Sequence, residues 1–117
     1  MKTTLPLHAV VTAVGFVILL GVCLSNYDCG FVGLDVLVNN AGIMHTENLA
    51  KVTGAKLDEA MDVNVKSALY LTQLATKWLE KSSLKAIVNV SSIAGLRAYP
   101  GSMAYKLSKA ALDQLTR

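Results

Sequence analysis

The spacing of two short apolar runs constrains the fold of this chain more than any other feature of its sequence. Apart from Asp35 and Asn89, residues 34–38 and 86–90 are apolar and rich in β-branched residues, and each run has the length of a buried strand. The segment that follows each run is long enough for a helix and carries apolar residues at helical spacing. A long helix between two strands is the crossover that parallel strands require. The sequence therefore predicts an α/β fold with parallel strands at 34–39 and 85–91 and helices at 56–81 and 102–117.

Side chains that suit acid–base chemistry follow the second run. Ser92 lies just beyond it, at what would be the carboxyl end of a parallel strand, where the ligand crevice of such sheets opens. Tyr105 and Lys109 are four residues apart, so both would project from one face of the second helix. A phenol ionises poorly at neutral pH, and an ammonium beside it stabilises the phenolate. The pattern predicts that Ser92 and Tyr105 hold one carbonyl oxygen while Lys109 tunes the phenol.

Two further features of the sequence are a polar turn after the first strand and a polar residue within an apolar helix stripe. Asn39, Asn40, Ala41 and Gly42 close the first strand with small and turn-forming residues, which let a ligand approach the backbone closely. The apolar stripe of the first helix comprises Leu57, Ala60, Met61, Val65, Ala68 and Leu69. Asn64 falls within that stripe instead of on the wet face of the helix. A buried amide needs hydrogen-bond partners.

Each of these residues also has a purely structural interpretation. Asn64 alone would be a helix asparagine that bonds neighbouring backbone groups. Ser91 and Ser92 alone would be turn or helix-capping residues. Tyr105 alone would be a half-buried anchor, and Lys109 alone a solvated helix lysine. Their joint order and spacing are what favour a functional site.

In the order and spacing of these motifs, the chain from about residue 34 to residue 117 resembles the classical branch of the short-chain dehydrogenase/reductase family. Residues 95–101 are also similar to members that resemble bacterial 3-oxoacyl carrier-protein reductases. The family implies a Rossmann fold, of which this chain would hold a central βαβα part of the doubly wound parallel sheet. The residues that carry the resemblance are Asn39-Asn40-Ala41-Gly42, Asn64, the pair Ser91-Ser92, and Tyr105-x-x-x-Lys109.

The resemblance also implies a function, which is hydride transfer between a nicotinamide cofactor, NAD or NADP, and a small-molecule alcohol or carbonyl substrate. By that resemblance Tyr105 is the general acid–base, and Ser92 orients the substrate oxygen. Lys109 binds the cofactor ribose and modulates Tyr105. Asn64 interrupts the regular hydrogen bonding of its helix and holds a water that links the lysine to solvent. Tyr105 and Lys109 would also contact the cofactor, whose adenosine half residues 39–42 would border.

The sequence departs from the family at the phosphate loop. The family has Thr-Gly-x-x-x-Gly-x-Gly there, so that backbone amides receive the pyrophosphate. The nearest stretch, 12–19, has Ala13, Val17 and Leu19 at the three glycine positions. It also lies too close to Asn39 for two further crossover units, since each takes about 30 residues or more. The sixth and seventh strands of the family would follow Arg117. A second hypothesis is therefore a truncated, catalytically inactive fragment that acts at most as a dimerisation partner.

Residues 1–33 have the composition of a separate hydrophobic leader, joined to the rest at about Gly33. Residues 9–24 carry no charge, and Lys2 precedes them. This pattern is typical of a signal peptide or short anchor at residues 5–24, although that length is marginal for a bilayer span of about 30 Å. The alternatives are a translated non-coding stretch or a strand, since residues 10–14 suit a parallel sheet beside 34–39. The first interpretation predicts a membrane-associated or secreted protein, and the alternatives a cytoplasmic one.

Composition argues against several other classes of protein. The formal charge is +3, but Lys and Arg are scattered among acidic residues, so no nucleic-acid or anionic-membrane surface is expected. Cys23 and Cys29 give no disulfide framework, and His8 and His45 are isolated, so no metal site is expected. The few elements leave sheet edges open, which predicts marginal stability and self-association through the two long helices.

Overall fold

Three parallel strands and three α-helices make up the part of the chain that the structure, a computed structural model, describes, which is residues 10–11 and 33–117. The strands are β1 (Val10–Val11), β2 (Val36–Asn39) and β3 (Ala86–Asn89). The helices are α1 (Gly54–Met61), α2 (Ser67–Leu79) and α3 (Met103–Thr116). A π-helical turn, Asp62–Lys66, joins α1 to α2, and a short 3-10 helix, Ile93–Gly95, follows β3.

The predicted pairing of two parallel strands is confirmed. Val36 of β2 lies opposite Ala86 of β3, and the ladder runs to Asn39 opposite Asn89, so the carboxyl ends of the two strands lie side by side. Both strands are shorter than the predicted 34–39 and 85–91. The predicted helix 102–117 is Met103–Thr116, and the predicted helix 56–81 runs from Gly54 to Leu79 with the π-helical turn inside it.

The core lies between β2 and α2. Leu34 and Leu37 are almost fully buried at the start and middle of the first apolar run. Helix α2 presents one face to them at the three- and four-residue spacing of an amphipathic helix. That face comprises Leu71, Ala75 and Leu79, with Leu74 and Trp78 packed beside them. The first apolar run thus forms the buried strand that its composition predicts.

The second run forms a strand, but the prediction that it is buried is wrong. The exposed fractions of Ile87 and Val88 are 41% and 46%, and Val90 is exposed as well. Ile87 and Val88 project to opposite faces of the sheet, so neither face of β3 is well covered. The physical reason is position: β3 is the last strand of the described sheet, so no described strand beyond it brings side chains that would flank Ile87 and Val88 on the two faces.

Strand β1 lies at the other edge of β2. Val10 pairs with Val36 and Val11 with Leu37, both in parallel. The rest of the predicted leader, and with it the stretch 12–19 compared with a phosphate loop, lies outside the described residues. Its interpretation as a signal, an anchor or a strand stays a prediction. Among the helices that the structure describes, none has the length and apolar character needed to cross a bilayer.

The start of α3 is fixed by the loop that follows β2. Gly101 and Ser102 have φ values of 79° and 50°, in the left-handed region, and turn the chain into the helix. The amide of Ser102 donates to the carbonyl oxygen of Thr46 at 3.3 Å, and the amide of Met103 donates to that of Glu47 at 3.0 Å. These bonds use amides that the first turn of a helix leaves without intrahelical partners. The loop from β2 therefore positions the helix that carries Tyr105 and Lys109.

Candidate active site

Tyr105 and Lys109 lie together on α3, as their spacing predicts. The Lys109 ammonium is 5.7 Å from the centroid of the Tyr105 ring. Its Nζ donates to the carbonyl oxygen of Val90 at 2.7 Å, just past the end of β3. Only 4% of Lys109 is exposed, so it is not the solvated helix lysine of the structural interpretation. The structure therefore holds a buried cation beside a phenol at the carboxyl end of the sheet.

The electrostatics of Lys109 reflect its burial. Burial disfavours the charged form and lowers the pKa of the Lys109 ammonium, while the Asp113 carboxylate, one turn further along α3, opposes that shift. An ammonium has three N–H groups, and the bond to Val90 uses one of them. The remaining two can donate to other oxygen atoms near the sheet end.

Asn64 lies in the π-helical turn and is 1% exposed, so the prediction that it is buried is confirmed. The amide of Ser67 donates to the carbonyl oxygen of Asp62, five residues back, which is the irregular helical hydrogen bonding expected around Asn64. The Asn64 amide group donates to the carbonyl oxygen of Ile43 at 2.9 Å and accepts from the Ile43 amide at 2.8 Å. It also donates to the Ser108 hydroxyl at 2.8 Å. The side chain therefore ties the π-helical turn to two other segments.

Gly42 lies between Asn64 and Lys109. A Cβ added at Gly42 would be 3.3 Å from Asn64 Oδ1 and 3.6 Å from Lys109 Nζ. Three segments that are distant in sequence thus converge at one point: the loop after β2, the π-helical turn and α3. The glycine leaves the space beside the ammonium free of a side chain.

The side chain of Asn39, which ends β2, forms hydrogen bonds within the fold. Asn39 Nδ2 donates to Asn89 Oδ1 at 2.7 Å and lies 3.4 Å from Thr72 Oγ1. Asn89 Nδ2 in turn donates to Thr116 Oγ1 at 3.0 Å. These bonds join the ends of β2 and β3 to α2 and α3. Asn40, by contrast, is exposed, and Ala41 is half-buried.

Ser92 caps the short 3-10 helix that follows β3. Its Oγ accepts from the amide of Ala94 at 3.1 Å, and its hydroxyl proton remains available to another acceptor. The described contacts include no hydrogen bond from Ser92 to Tyr105 or Lys109. The neighbouring Ser91 hydroxyl lies 3.4 Å from the carbonyl oxygen of Lys109. Ser92 therefore has the capping role of its structural interpretation and still has a proton to donate.

The sequence patterns do not mark two residues of this region as site or packing residues. Ser108 is fully buried and bonds Asn64, although its only sequence signal is its place directly before Lys109. At Gly95 an added Cβ would lie 2.9 Å from the carbonyl carbon of Lys109, so the 3-10 helix packs directly on the backbone of α3.

Among the described residues, no group of three His, Cys, Asp or Glu side chains is placed to hold a metal ion.

Comparison with known proteins identifies the family. The family model described as short chain dehydrogenase matches residues 24–117, so this chain belongs to the short-chain dehydrogenase family. An uncharacterized oxidoreductase of Thermotoga maritima is 45% identical over 84 residues, which cover 72% of this chain and 34% of the relative. The 3-oxoacyl-[acyl-carrier-protein] reductase FabG of the same organism is 37% identical over 84 residues, which again cover 72% of this chain and 34% of the relative. The chain spans about a third of the length of these curated relatives.

Solved structures show the same fold. The NADPH-bound carbonyl reductase from chicken fatty liver superposes with a TM-score of 0.75 at 30% identity, covering 86% of this chain and 46% of that one. The prediction of a partial Rossmann fold is therefore confirmed.

Proposed function

We propose that this chain carries the proton-transfer half of an NAD(P)-dependent oxidoreductase site, for interconversion of an alcohol and a carbonyl compound. The observation that carries the proposal is the buried Lys109 ammonium, 5.7 Å from the Tyr105 ring and bonded to Val90 at the end of β3. A phenolate formed at Tyr105 would face a positive charge that water screens little, because only 4% of Lys109 is exposed.

Tyr105 is the group that moves the proton. In the reducing direction its phenol donates to the substrate oxygen as the carbonyl becomes an alkoxide, and in the oxidising direction its phenolate takes the proton back. Lys109 stabilises the phenolate, and the free proton of the Ser92 hydroxyl holds the same substrate oxygen. A nicotinamide supplies or accepts the hydride when it is bound. Asn64 ties the π-helical turn to the loop after β2 through Ile43 and to α3 through Ser108.

The residues present fit the nicotinamide-ribose side of such a cofactor. Lys109 has two N–H groups beyond its bond to Val90, and they suit ribose hydroxyls. Gly42 keeps the space beside that ammonium open, because a side chain at this position would occupy it: a Cβ there would lie 3.6 Å from Nζ. Exposed Asn40 and half-buried Ala41 continue this surface. The carbonyl reductase from chicken, which shares the fold, binds NADPH, and this supports NADP or NAD as the cofactor.

Association through the long helices is a further part of the proposal. Leu107 and Leu115 on α3 are 48% and 40% exposed, and Tyr70 on α2 is 55% exposed. Apolar side chains on exposed helix faces favour self-association. Sedimentation of the full chain should therefore show a dimer or larger species, and Leu107→Lys should shift it toward monomer, whereas a monomer in the unaltered chain would refute association.

The experiment that tests the proposed function is titration of the full chain with NADH and NADPH, followed by cofactor fluorescence. An intact member of the family serves as the positive control. Saturable binding, and turnover of a carbonyl substrate that disappears in Tyr105→Phe, would support the proposal. Tyr70→Phe is the matched control, because it removes an exposed phenol from α2 and should leave turnover unchanged.

Absence of saturable binding would overturn the proposal for this chain. The alternative, an inactive fragment that acts as a dimerisation partner, would then require that the chain associate with an intact relative. Co-sedimentation of the two proteins tests that alternative directly.

A further inference from the structure

The Ser108 hydroxyl lies at the meeting point of two buried hydrogen bonds. Ser108 has no exposed surface, and Asn64 is 1% exposed. Ser108 Oγ accepts from Asn64 Nδ2 at 2.8 Å and donates to the carbonyl oxygen of Tyr105 at 2.8 Å. The hydroxyl therefore joins the π-helical turn to the turn of α3 that carries the proposed acid–base residue.

The direction of these bonds is fixed by the chemistry of Ile43. Its amide can only donate and its carbonyl oxygen can only accept, and both bond the Asn64 side chain. This sets Oδ1 against the amide and Nδ2 against the carbonyl. The second proton of Nδ2 then points to Ser108, whose oxygen must accept it. The Ser108 proton is left with the carbonyl oxygen of Tyr105 as its acceptor.

We propose that Ser108 is a positioning residue, which transmits the placement of Asn64 to Tyr105 and Lys109 through this directional chain of hydrogen bonds. The chain begins at the Ile43 backbone, just after Gly42, passes through the Asn64 amide and the Ser108 hydroxyl, and ends on the Tyr105 backbone. It fixes the rotation of α3 relative to the loop beside which the cofactor is proposed to bind. Its effect on turnover rests on the proposed function, whereas its hydrogen bonds do not.

Loss of the hydroxyl should have a specific consequence. In Ser108→Ala one N–H of Asn64 loses its acceptor in a buried site, and the Tyr105 carbonyl loses one donor. The side chains of Tyr105 and Lys109 remain present, but their turn of α3 is no longer tied to Asn64. Small misplacements of catalytic groups slow turnover by about one to two orders of magnitude.

The first test is NMR spectroscopy of the full chain with isotope-labelled asparagine and tyrosine. In Ser108→Ala we expect faster hydrogen exchange of an Asn64 side-chain proton and a shifted carbonyl-carbon resonance of Tyr105. Ser67→Ala is the matched control, because among the described residues the Ser67 hydroxyl bonds the carbonyl of Val63, in its own helical segment, and no other group. Unchanged Asn64 and Tyr105 signals in Ser108→Ala, or equal changes in Ser67→Ala, would refute the inference.

The second test compares Ser108→Thr with Ser108→Val. The two side chains have the same shape, so any overpacking of the buried site is shared, and only threonine keeps the hydroxyl. We expect both NMR signals to stay near their original positions in the threonine variant and to move in the valine variant. Identical spectra for the two variants would show that the hydroxyl does not hold the turn and would overturn the proposal.

Turnover measurements complete the test. The valine and alanine variants should lose kcat by about tenfold or more while KM for the cofactor changes little, and threonine should restore kcat. Equal kcat in threonine and valine variants would contradict the inference. Lack of turnover in the unaltered chain would refute the proposed function instead, and the NMR comparison would still decide whether Ser108 positions the turn.

Discussion

The packing of the 3-10 helix against α3 makes Gly95→Ala a sharp test of the structure. A Cβ at this position would lie 2.6 Å from Asp113 Oδ2, 2.9 Å from the carbonyl carbon of Lys109 and 3.0 Å from the amide nitrogen of Ala110. Two of these atoms belong to the backbone of α3, so a side-chain rotation does not relieve the overlap. The helix or the 3-10 turn must retreat by several tenths of an ångström.

The expected cost follows from this overlap. One methyl group forced into a packed interface typically costs about 1–3 kcal/mol of unfolding free energy. With a urea m-value of about 1–3 kcal/mol/M for a small protein, the unfolding midpoint should fall by roughly 1 M. Urea unfolding followed by far-UV circular dichroism measures this midpoint. The displaced backbone is that of Lys109, so the 2.7 Å hydrogen bond from its ammonium to the carbonyl oxygen of Val90 should change as well.

Gly54→Ala is the matched control. Gly54 begins α1, and a Cβ added there would meet no atom of the described residues within 4 Å, apart from its chain neighbours and the backbone of its own helix. Replacing a glycine by alanine at a helical position without a clash raises stability by about 0.4–1 kcal/mol. The two substitutions should therefore move the midpoint in opposite directions. A Gly95→Ala variant as stable as the unaltered chain would refute the close packing of the 3-10 helix on α3.

Three further outcomes are expected. Burial lowers the pKa of Lys109 in the folded chain below its ordinary 10.5, so the unfolded chain keeps that proton up to a higher pH than the folded chain does. As pH rises from neutral to 10.5, the free energy of unfolding of the unaltered chain, measured by urea titration, should therefore increase relative to that of Lys109→Met. Parallel pH profiles of the two proteins would contradict this. Asn89→Ala leaves the buried Asn39 amide without its 2.7 Å partner and should lower the unfolding free energy by about 1–3 kcal/mol, whereas Thr116→Ala, at an exposed position, should cost clearly less. Lys66→Ala breaks an ion pair exposed on the surface of the π-helical turn and should leave the thermal midpoint unchanged within error, since such pairs contribute little.

The local patterns of the sequence predict the elements of this fold well. Spacing of apolar residues places both helices within about two residues of their observed ends, and the apolar run 34–38 yields the buried β2. The four-residue spacing of Tyr105 and Lys109 brings the two side chains together, because a helix turns once in 3.6 residues. The position of Asn64 in an apolar stripe predicts its burial.

The same patterns mislead where burial depends on neighbours. The run 86–90 has the composition of an interior strand, yet Ile87 and Val88 are largely exposed. The composition of a strand indicates whether its side chains are suited to burial, whereas their exposure depends on which segments lie beside the strand. In the described sheet, β3 has a strand on one side only.

By itself, then, the sequence determines the periodicities, the chain order of the motifs and the chemical character of Tyr105, Lys109, Ser92 and Asn64. These properties act within one turn or one strand, so they can be read locally. Only the tertiary structure decides that Gly42, Asn64 and Lys109 meet, that Ser108 joins Asn64 to Tyr105, and that Gly95 must stay small. These contacts join residues up to 67 positions apart, and only the packing of α3 onto the loop and the π-helical turn brings them within hydrogen-bond distance or contact.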